Sequence, residues 1–298
     1  MPKIVNIISL FILILLQSTV YSKQDSLYNQ IQEIAKQAKG KVSVAAQVPE
    51  DSISFSFYGD EMCVMQSVFK FPIALAILNK IDKQEFSLLH KIHITPKEMI
   101  KDTWSPMRDS FPDGNVNITF ENLLKYMVSQ SDNIACDVLL HHLGKPKVVQ
   151  NYIRKMGIDD FAMKYNEAGM HKKWKNQYSN VCSPNAMVAM LEKFYDGKVL
   201  SPANTAFLNK IMTETTTGKN RIKKYLPSNA VVAHKTGSSG TNEAGMTAAV
   251  NDVGIITLPN GKHLVLAIFV NDAYADFAVL EETIAAISKA LFDAYYHP

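Results

Sequence analysis

The hydrophobic and polar positions divide the chain into two sheet-forming ends and a helical middle. Leu27, Ile31, Ile34 and Ala38 recur at helical spacing, and Gly40 closes that first helix. Val42–Val48 and Ser52–Tyr58 then read as strands. In the second, Ile53, Phe55 and Phe57 alternate with serines, as on a half-buried strand. A long apolar helix is predicted from Ser67 to about Lys83, with Pro72 close enough to its start to be tolerated. Further helices are predicted over Thr119–Ser129, Ile134–His142 and Pro146–Met156. Ser183-Pro184 and Ser201-Pro202 each put a capping hydroxyl before a first-turn proline, so two more helices begin there. Between about Asp160 and Cys182 no period is evident, and so long an irregular connection is usually functional. Val231–Lys235, Thr247–Thr257 and His263–Val270 return to strand character. The last two are joined by the turn signal Pro259-Asn260-Gly261, and a closing helix spans Asp276–Tyr296.

The economical arrangement pairs two early and three late strands in one antiparallel sheet, flanked by the first and last helices. This is an α/β (α+β) fold, with the helical middle inserted as a second lobe. The predicted organisation is a leader over 1–22, an α/β lobe over about 23–62 and 222–298, and an all-α lobe over about 63–221. A cleft between lobes is where a site is expected. Ser67, Ser131 and Lys235 fall at the crossings.

Composition narrows the classes. The chain has 298 residues, 47% apolar, with net charge +3. That is ordinary globular composition, and so slight an excess of cations argues against a nucleic-acid partner. Lys3, the apolar run Ile4–Leu16 and the small-residue pattern Val20-Tyr21-Ser22 read as a secretory leader with its cleavage site. The expected mature protein is periplasmic or secreted, off the membrane and monomeric. Cys63, Cys136 and Cys182 have no CxxC spacing, and no HExxH or ligand cluster occurs, so no metal or cofactor is expected. An odd number of thiols in an oxidising compartment allows at most one internal disulfide. Cys136 reads as a small core residue.

Three motifs lie on the lobe crossings. In Ser67-Val-Phe-Lys70, residues three apart share a helix face, so an amine sits beside a hydroxyl that needs a base to become nucleophilic. In Ser131-Asp132-Asn133 a second hydroxyl can pass a proton and an amide can bind a substrate amide; equally, Ser131 and Asp132 can cap the next helix. In Lys235-Thr236-Gly237 a cation and a hydroxyl can hold a carboxylate, while glycine lets substrate lie against the strand. The amides of Ser67 and Ser238 could together make an oxyanion hole. Alternatively, this is an exposed strand end running into a turn. SDN and KTG each have roughly a 4% chance of arising in such a length, so the triple is about a 10⁻³ coincidence.

The three motifs together resemble class A serine β-lactamases over essentially the whole mature chain. The resemblance implies a two-lobed fold and hydrolysis of a β-lactam amide through an acyl-serine, with a bias toward cephalosporins. It implies Ser67 as nucleophile, Lys70 as its activating partner, and Ser131 as proton relay to the ring nitrogen. Asn133 would contact the substrate side-chain amide, and Lys235, Thr236 and Gly237 would line the carboxylate subsite. Glu167, in Tyr165-Asn166-Glu167, would be the base that holds the deacylating water. Arg221 resembles a carboxylate-supporting arginine, or is a surface cation. Trp104 resembles the aromatic flanking the cleft, or packs beneath Pro106.

The chain also departs from the family pattern. His171 stands where an asparagine commonly helps hold the water. The usual Arg and Asp that open and close the loop are not evident, Tyr165 and Asn180 standing nearby. Ala74, Gln66 and Ser239 occupy positions where some members carry disulfide cysteines, and carbapenem hydrolysis is not predicted. The competing readings are a D-Ala-D-Ala carboxypeptidase and a β-lactam sensor that stays acylated. Both lack the role given to Glu167.

Overall fold

The computed structural model describes residues 24–296; the expected leader lies outside them. Residues 24–36 are helical. Five strands follow, in two groups: β1 (Lys41–Val48), β2 (Ile53–Phe57), β3 (Val231–Ser238), β4 (Thr247–Thr257) and β5 (His263–Ala273). They form one antiparallel sheet in the order β2-β1-β5-β4-β3. The early and late strands therefore meet in the middle of the sheet, and β3 is an edge.

Side chains alternate across that sheet, and both faces are buried. From β5, Val265, Ala267 and Phe269 pack with the helical middle of the chain, together with Ala45, Ala233, Val253 and Ile255. Leu264, Leu266, Ile268 and Val270 face the other way, onto Leu27, Ile31, Leu280, Ile284 and Ile287 of the first and last helices. Double burial explains why β4 and β5 read as continuous apolar runs. It also fixes which β3 residues look toward the helical segment: Ala233, and by alternation Lys235 and Gly237.

The helices begin where their caps demand. Ser183 and Ser201 accept the amides of Ala186 and Asn204. Asp132 accepts the Ala135 amide and starts the helix Asn133–Leu143, which ends on Gly144 in the left-handed region. Ser131 does not cap that helix and its hydroxyl is left for other work.

Three expectations need correction. The predicted helix at Ser67 begins instead as a 3₁₀ turn over Gln66–Phe69, with the α-helix running Lys70–Asp82. The strand ending at Lys235 continues to Ser238, because pairing with β4 persists through Thr236, Gly237 and Ser238 after the apolar run stops. The stretch 160–182 holds short elements: strands Phe161–Ala162 and Val181–Cys182, the helix Glu167–His171 and a 3₁₀ segment Trp174–Ser179. Those two strands join Cys63–Val64 in a small sheet ordered Cys63–Val64, Val181–Cys182, Phe161–Ala162. No helix among the described residues is long and apolar enough to cross a membrane.

Close packing of β4 on β3 places Lys235. A Cβ on Gly254 would lie 2.3 Å from the Ala233 carbonyl oxygen and 2.8 Å from the His234 Cα. Neither backbone neighbour can move without displacing β3. Gly254→Ala is expected to destabilise the fold by about 1–3 kcal/mol and to lower turnover together with it. Denaturant unfolding beside steady-state rates measures both, and unchanged stability with unchanged rate would contradict this packing.

Candidate active site

The turn that carries Ser67 is held from three sides. The Met65 amide donates to the Asn180 carbonyl at 3.0 Å, and the Asn251 side chain donates to the Val64 and Met65 carbonyls at 2.8 and 3.1 Å. Gln66 has φ 47° and bonds through its amide to Gln177 at 2.5 Å. A non-glycine residue in this region is strained, and here the strain sits immediately before the half-buried Ser67 hydroxyl.

Lys70, one helical turn on, is fully buried. Its Nζ lies 2.7 Å from the Ser131 carbonyl, 2.5 Å from Asn133 Oδ1, 3.0 Å from Ser67 Oγ and 2.9 Å from Glu167 Oε1. Four oxygens surround three N–H groups, which is the ligation that a buried ammonium requires. Ser67 Oγ, accepting from Lys70, is left to donate to Glu167 Oε1 at 3.3 Å.

Ser131 has φ 57°, a conformation that turns its side chain out of the helical run and into the site. Its hydroxyl is 2.9 Å from Lys235 Nζ and 3.5 Å from Lys70 Nζ. Asp132, behind it, accepts from Ser105 Oγ and the Met107 amide at 2.8 and 2.7 Å, pinning the segment that bears Trp104. Trp104 is 60% exposed at the rim, and its indole donates to the Gln130 carbonyl at 2.9 Å. Asn133, besides contacting Lys70, donates to Thr103 Oγ1 at 2.9 Å.

Lys235 is also fully buried, so the exposed-strand-end reading of this motif fails. Burial, with Lys70 beside it, pushes its ammonium well below the usual lysine range. An arriving carboxylate would favour the charged form again. The Thr236 hydroxyl shares a 2.6 Å hydrogen bond with Thr217. A Cβ on Gly237 would come within 2.5 Å of the Met65 carbonyl oxygen and 3.1 Å of the Ser67 and Val68 nitrogens. Only glycine lets β3 approach the turn bearing Ser67 so closely. Because Ser239 donates its amide to Ala249 at 2.9 Å, antiparallel alternation turns the Ser238 N–H away from β4, toward the free edge.

Arg221 is not a surface cation. It is 4% exposed, with Nε 3.0 Å from Glu281, Nη1 2.9 Å from the Asn251 carbonyl and 3.3 Å from that of Gly237, and Nη2 2.7 Å from Ser238 Oγ. Two of these bonds go to the end of β3, at the Gly237 carbonyl and the Ser238 hydroxyl, so Arg221 braces that strand beside the cleft.

Glu167 opens the short helix Glu167–His171 and is 3% exposed. Asp137, on the helix Asn133–Leu143, sets its position. One carboxylate oxygen accepts the Glu167 amide at 2.8 Å; the other accepts the Ala168 amide and the Asn166 side chain at 2.9 and 2.8 Å. Burial, with Glu167 adding to it, pushes the Asp137 acid up to about 6. In place of an Arg–Asp pair, Asn180 clasps the loop neck. It accepts from the Lys164 and Tyr165 amides at 2.8 and 3.0 Å and donates to the Tyr165 carbonyl at 2.8 Å. His171 directs Nδ1 at its own turn, 2.8 Å from the Glu167 carbonyl, so the ring reinforces the short helix. Its other edge lines a cavity of about 490 Å³ with Ile100, Thr103, Asn133, Asn166 and Glu167.

Sequence reasoning missed Asp137, Gln177, Thr217 and the buried pair behind the KTG strand, His234 Nδ1 to Asp252 at 2.9 Å. These are common residue types at no diagnostic spacing, and only the fold brings them to the site.

Comparison with known proteins identifies the family. A profile described as the beta-lactamase enzyme family matches residues 26–295. Beta-lactamase VEB-1 of Pseudomonas aeruginosa is 42% identical over 297 residues, covering 98% of this chain and 99% of that protein. Extended-spectrum beta-lactamase PER-1 of Pseudomonas aeruginosa is 38% identical, covering 89% of this chain and 86% of its own. The crystal structure of the TLA-1 extended-spectrum beta-lactamase superposes with a TM-score of 0.89 at 44% identity, covering 91% of this chain and 98% of that one. On these grounds the chain belongs to the beta-lactamase enzyme family and is a class A serine β-lactamase.

Proposed function

We propose that this β-lactamase opens penicillins and, preferentially, cephalosporins by the following division of labour, acting as an exported monomer whose two lobes meet at the site. One observation carries the reading: a buried carboxylate, Glu167, touches both the Ser67 hydroxyl and the Lys70 ammonium. Ser67 Oγ attacks the lactam carbonyl. Since Ser67 accepts from Lys70 and donates to Glu167, its proton is drawn toward Glu167, directly or through a water. The carbonyl oxygen becomes an oxyanion between the Ser67 and Ser238 amides; each such donor is worth about 3–4 kcal/mol. Ser131, in contact with Lys235, gives its proton to the departing ring nitrogen, and the two lysines restore it. Lys235 and Thr236 hold the substrate carboxylate, and Asn133 the side-chain amide.

The second half-reaction separates a lactamase from a peptidase or a sensor. Glu167 takes a proton from water, the water attacks the acyl carbonyl, and Ser67 leaves with a proton returned to its oxygen. A general base of this kind contributes roughly 10²–10⁴-fold. The cavity of about 490 Å³ beside Glu167 has room for the bulky acylamido side chain of an extended-spectrum cephalosporin. The extended-spectrum names of PER-1 and TLA-1 point the same way.

Turnover of a chromogenic cephalosporin tests the whole reading. The parent should turn over many times. Ser67→Ala should show no acylation, and Glu167→Ala should accumulate acyl-enzyme visible as a mass increase of one ligand. A parent that releases one equivalent and stops would favour the sensor or the carboxypeptidase.

Asp137 provides a pH test of the loop anchor. Its folded pKa of about 6 lies above the ordinary value of 3.8, so the folded state holds the proton more tightly. Its ionisation therefore subtracts from stability as pH rises through that window, by about 3 kcal/mol in all. The difference in unfolding free energy between parent and Asp137→Asn should fall as pH rises from about 4 to about 6. Parallel curves over that range would show that Asp137 is not the titrating group.

A further inference from the structure

Two of the three thiols face one another across the small sheet. Cys63 pairs with Cys182 in antiparallel register, and Val64 with Val181. The Met65 amide donates to the Asn180 carbonyl at 3.0 Å, two positions further along the same pairing. Alternation makes Cys63 and Cys182 a hydrogen-bonded pair again, with Cα atoms about 5.5 Å apart. Disulfides span Cα separations of about 4.4–6.8 Å, most often near 5.5–6 Å, so the pair falls at the preferred distance. Directly opposed residues also project from the same face; at a hydrogen-bonded pair their Cβ atoms stand about 1.7 Å beyond the mean disulfide separation, a gap that a small shift of two-residue strands closes. Both are buried free thiols in the structure. Cys136, the third, sits on the helix Asn133–Leu143 and outside this register.

From this juxtaposition we propose that Cys63 and Cys182 form a disulfide, tying the strand that leads into Ser67 to the strand that closes the loop bearing Glu167. The oxidant is a small-molecule disulfide of the glutathione class. The Cys63 thiolate attacks it, forming a mixed disulfide and releasing one thiol. The Cys182 thiolate then attacks Cys63 Sγ and releases the second. The two cysteines lose two electrons and two protons, and the reagent's disulfide is reduced to two thiols. A cavity of about 660 Å³ lined by Lys41, Phe57, Tyr178 and Asn271 reaches Cys63 and admits such a reagent. Burial pushes the Cys63 thiol up to about 12 and that of Cys182 well above its usual range. Thiolate is therefore scarce once the chain has folded, and the bond forms chiefly during folding.

The test is to refold the reduced, full-length mature enzyme in a buffer of reduced and oxidised glutathione. The product is then unfolded, alkylated and digested without reduction. One alkylated cysteine, Cys136, and a peptide linking residues 63 and 182 are expected. The same link should survive Cys136→Ser and vanish in Cys182→Ser. The oxidised parent should melt roughly 5–15 °C above its reduced form, because the bond closes a long loop. Three alkylated cysteines in refolded, active enzyme would overturn the proposal, as would a link through Cys136 or between two chains. The map is made on the parent, so its reading does not depend on any variant folding.

Discussion

An ammonium group stripped of water sets the terms for everything around it. Lys70 is wholly buried, and a lone charge in such a place would cost several kcal/mol. It persists because one carboxylate and three neutral oxygens close on it, from Glu167, Ser67, Ser131 and Asn133. Those residues come from three separate stretches of chain. Each must be delivered to within hydrogen-bonding distance, and much of the nearby structure serves that delivery. Ser131 and Gln66 both adopt left-handed backbone conformations. Asp137 fixes the helix that offers Glu167, and Asn180 closes the neck of its loop. The same demand for charge balance links the two lysines, because Lys235 touches the Ser131 hydroxyl that Lys70 also approaches.

The sheet supplies the rigid side of this arrangement. Its two faces are buried against different sets of helices, so register is strongly specified and a slip of one residue would invert every side chain. That constraint directs Lys235 and Gly237 at the helical segment, while the Thr236 hydroxyl bonds that of Thr217. Arg221 completes the edge by bonding backbone carbonyls of β3 and β4 and the Ser238 hydroxyl. The carboxylate subsite proposed for Lys235 and Thr236 is thus built on a strand held from behind, while Glu167, the proposed base, rides on a loop held by side-chain amides and one aspartate.

Much of this was legible in the amino-acid sequence, for reasons that can be stated residue by residue. Ser67 and Lys70 are three apart, a spacing that means contact along one turn whether that turn is α or 3₁₀. Strand pairing of early with late segments followed from apolar runs and turn signals. Glu167 was placed by resemblance, since a glutamate in an aperiodic stretch has no local mark of catalysis. What stayed hidden depends on register and long-range packing. Asp137 is thirty residues from Glu167 and looks like any polar helix position. The extension of β3 through Thr236 and Gly237 comes from β4 and not from hydropathy. Arg221 read equally as a surface cation or a carboxylate-supporting arginine, and its burial against the sheet edge shows only in the fold. The opposition of Cys63 and Cys182 is written only in the pairing of two-residue strands.

The central claim is that Ser67, Lys70 and Glu167 act as one unit, with the charge of Lys70 and that of Glu167 each meaningful only beside the other. A double-mutant cycle on the acylation rate measures this directly, using Lys70→Ala, Glu167→Ala and the double variant against one cephalosporin under single-turnover conditions. The account predicts strong non-additivity, with the double variant about as slow as the slower single one. Losses in acylation that simply add would contradict it.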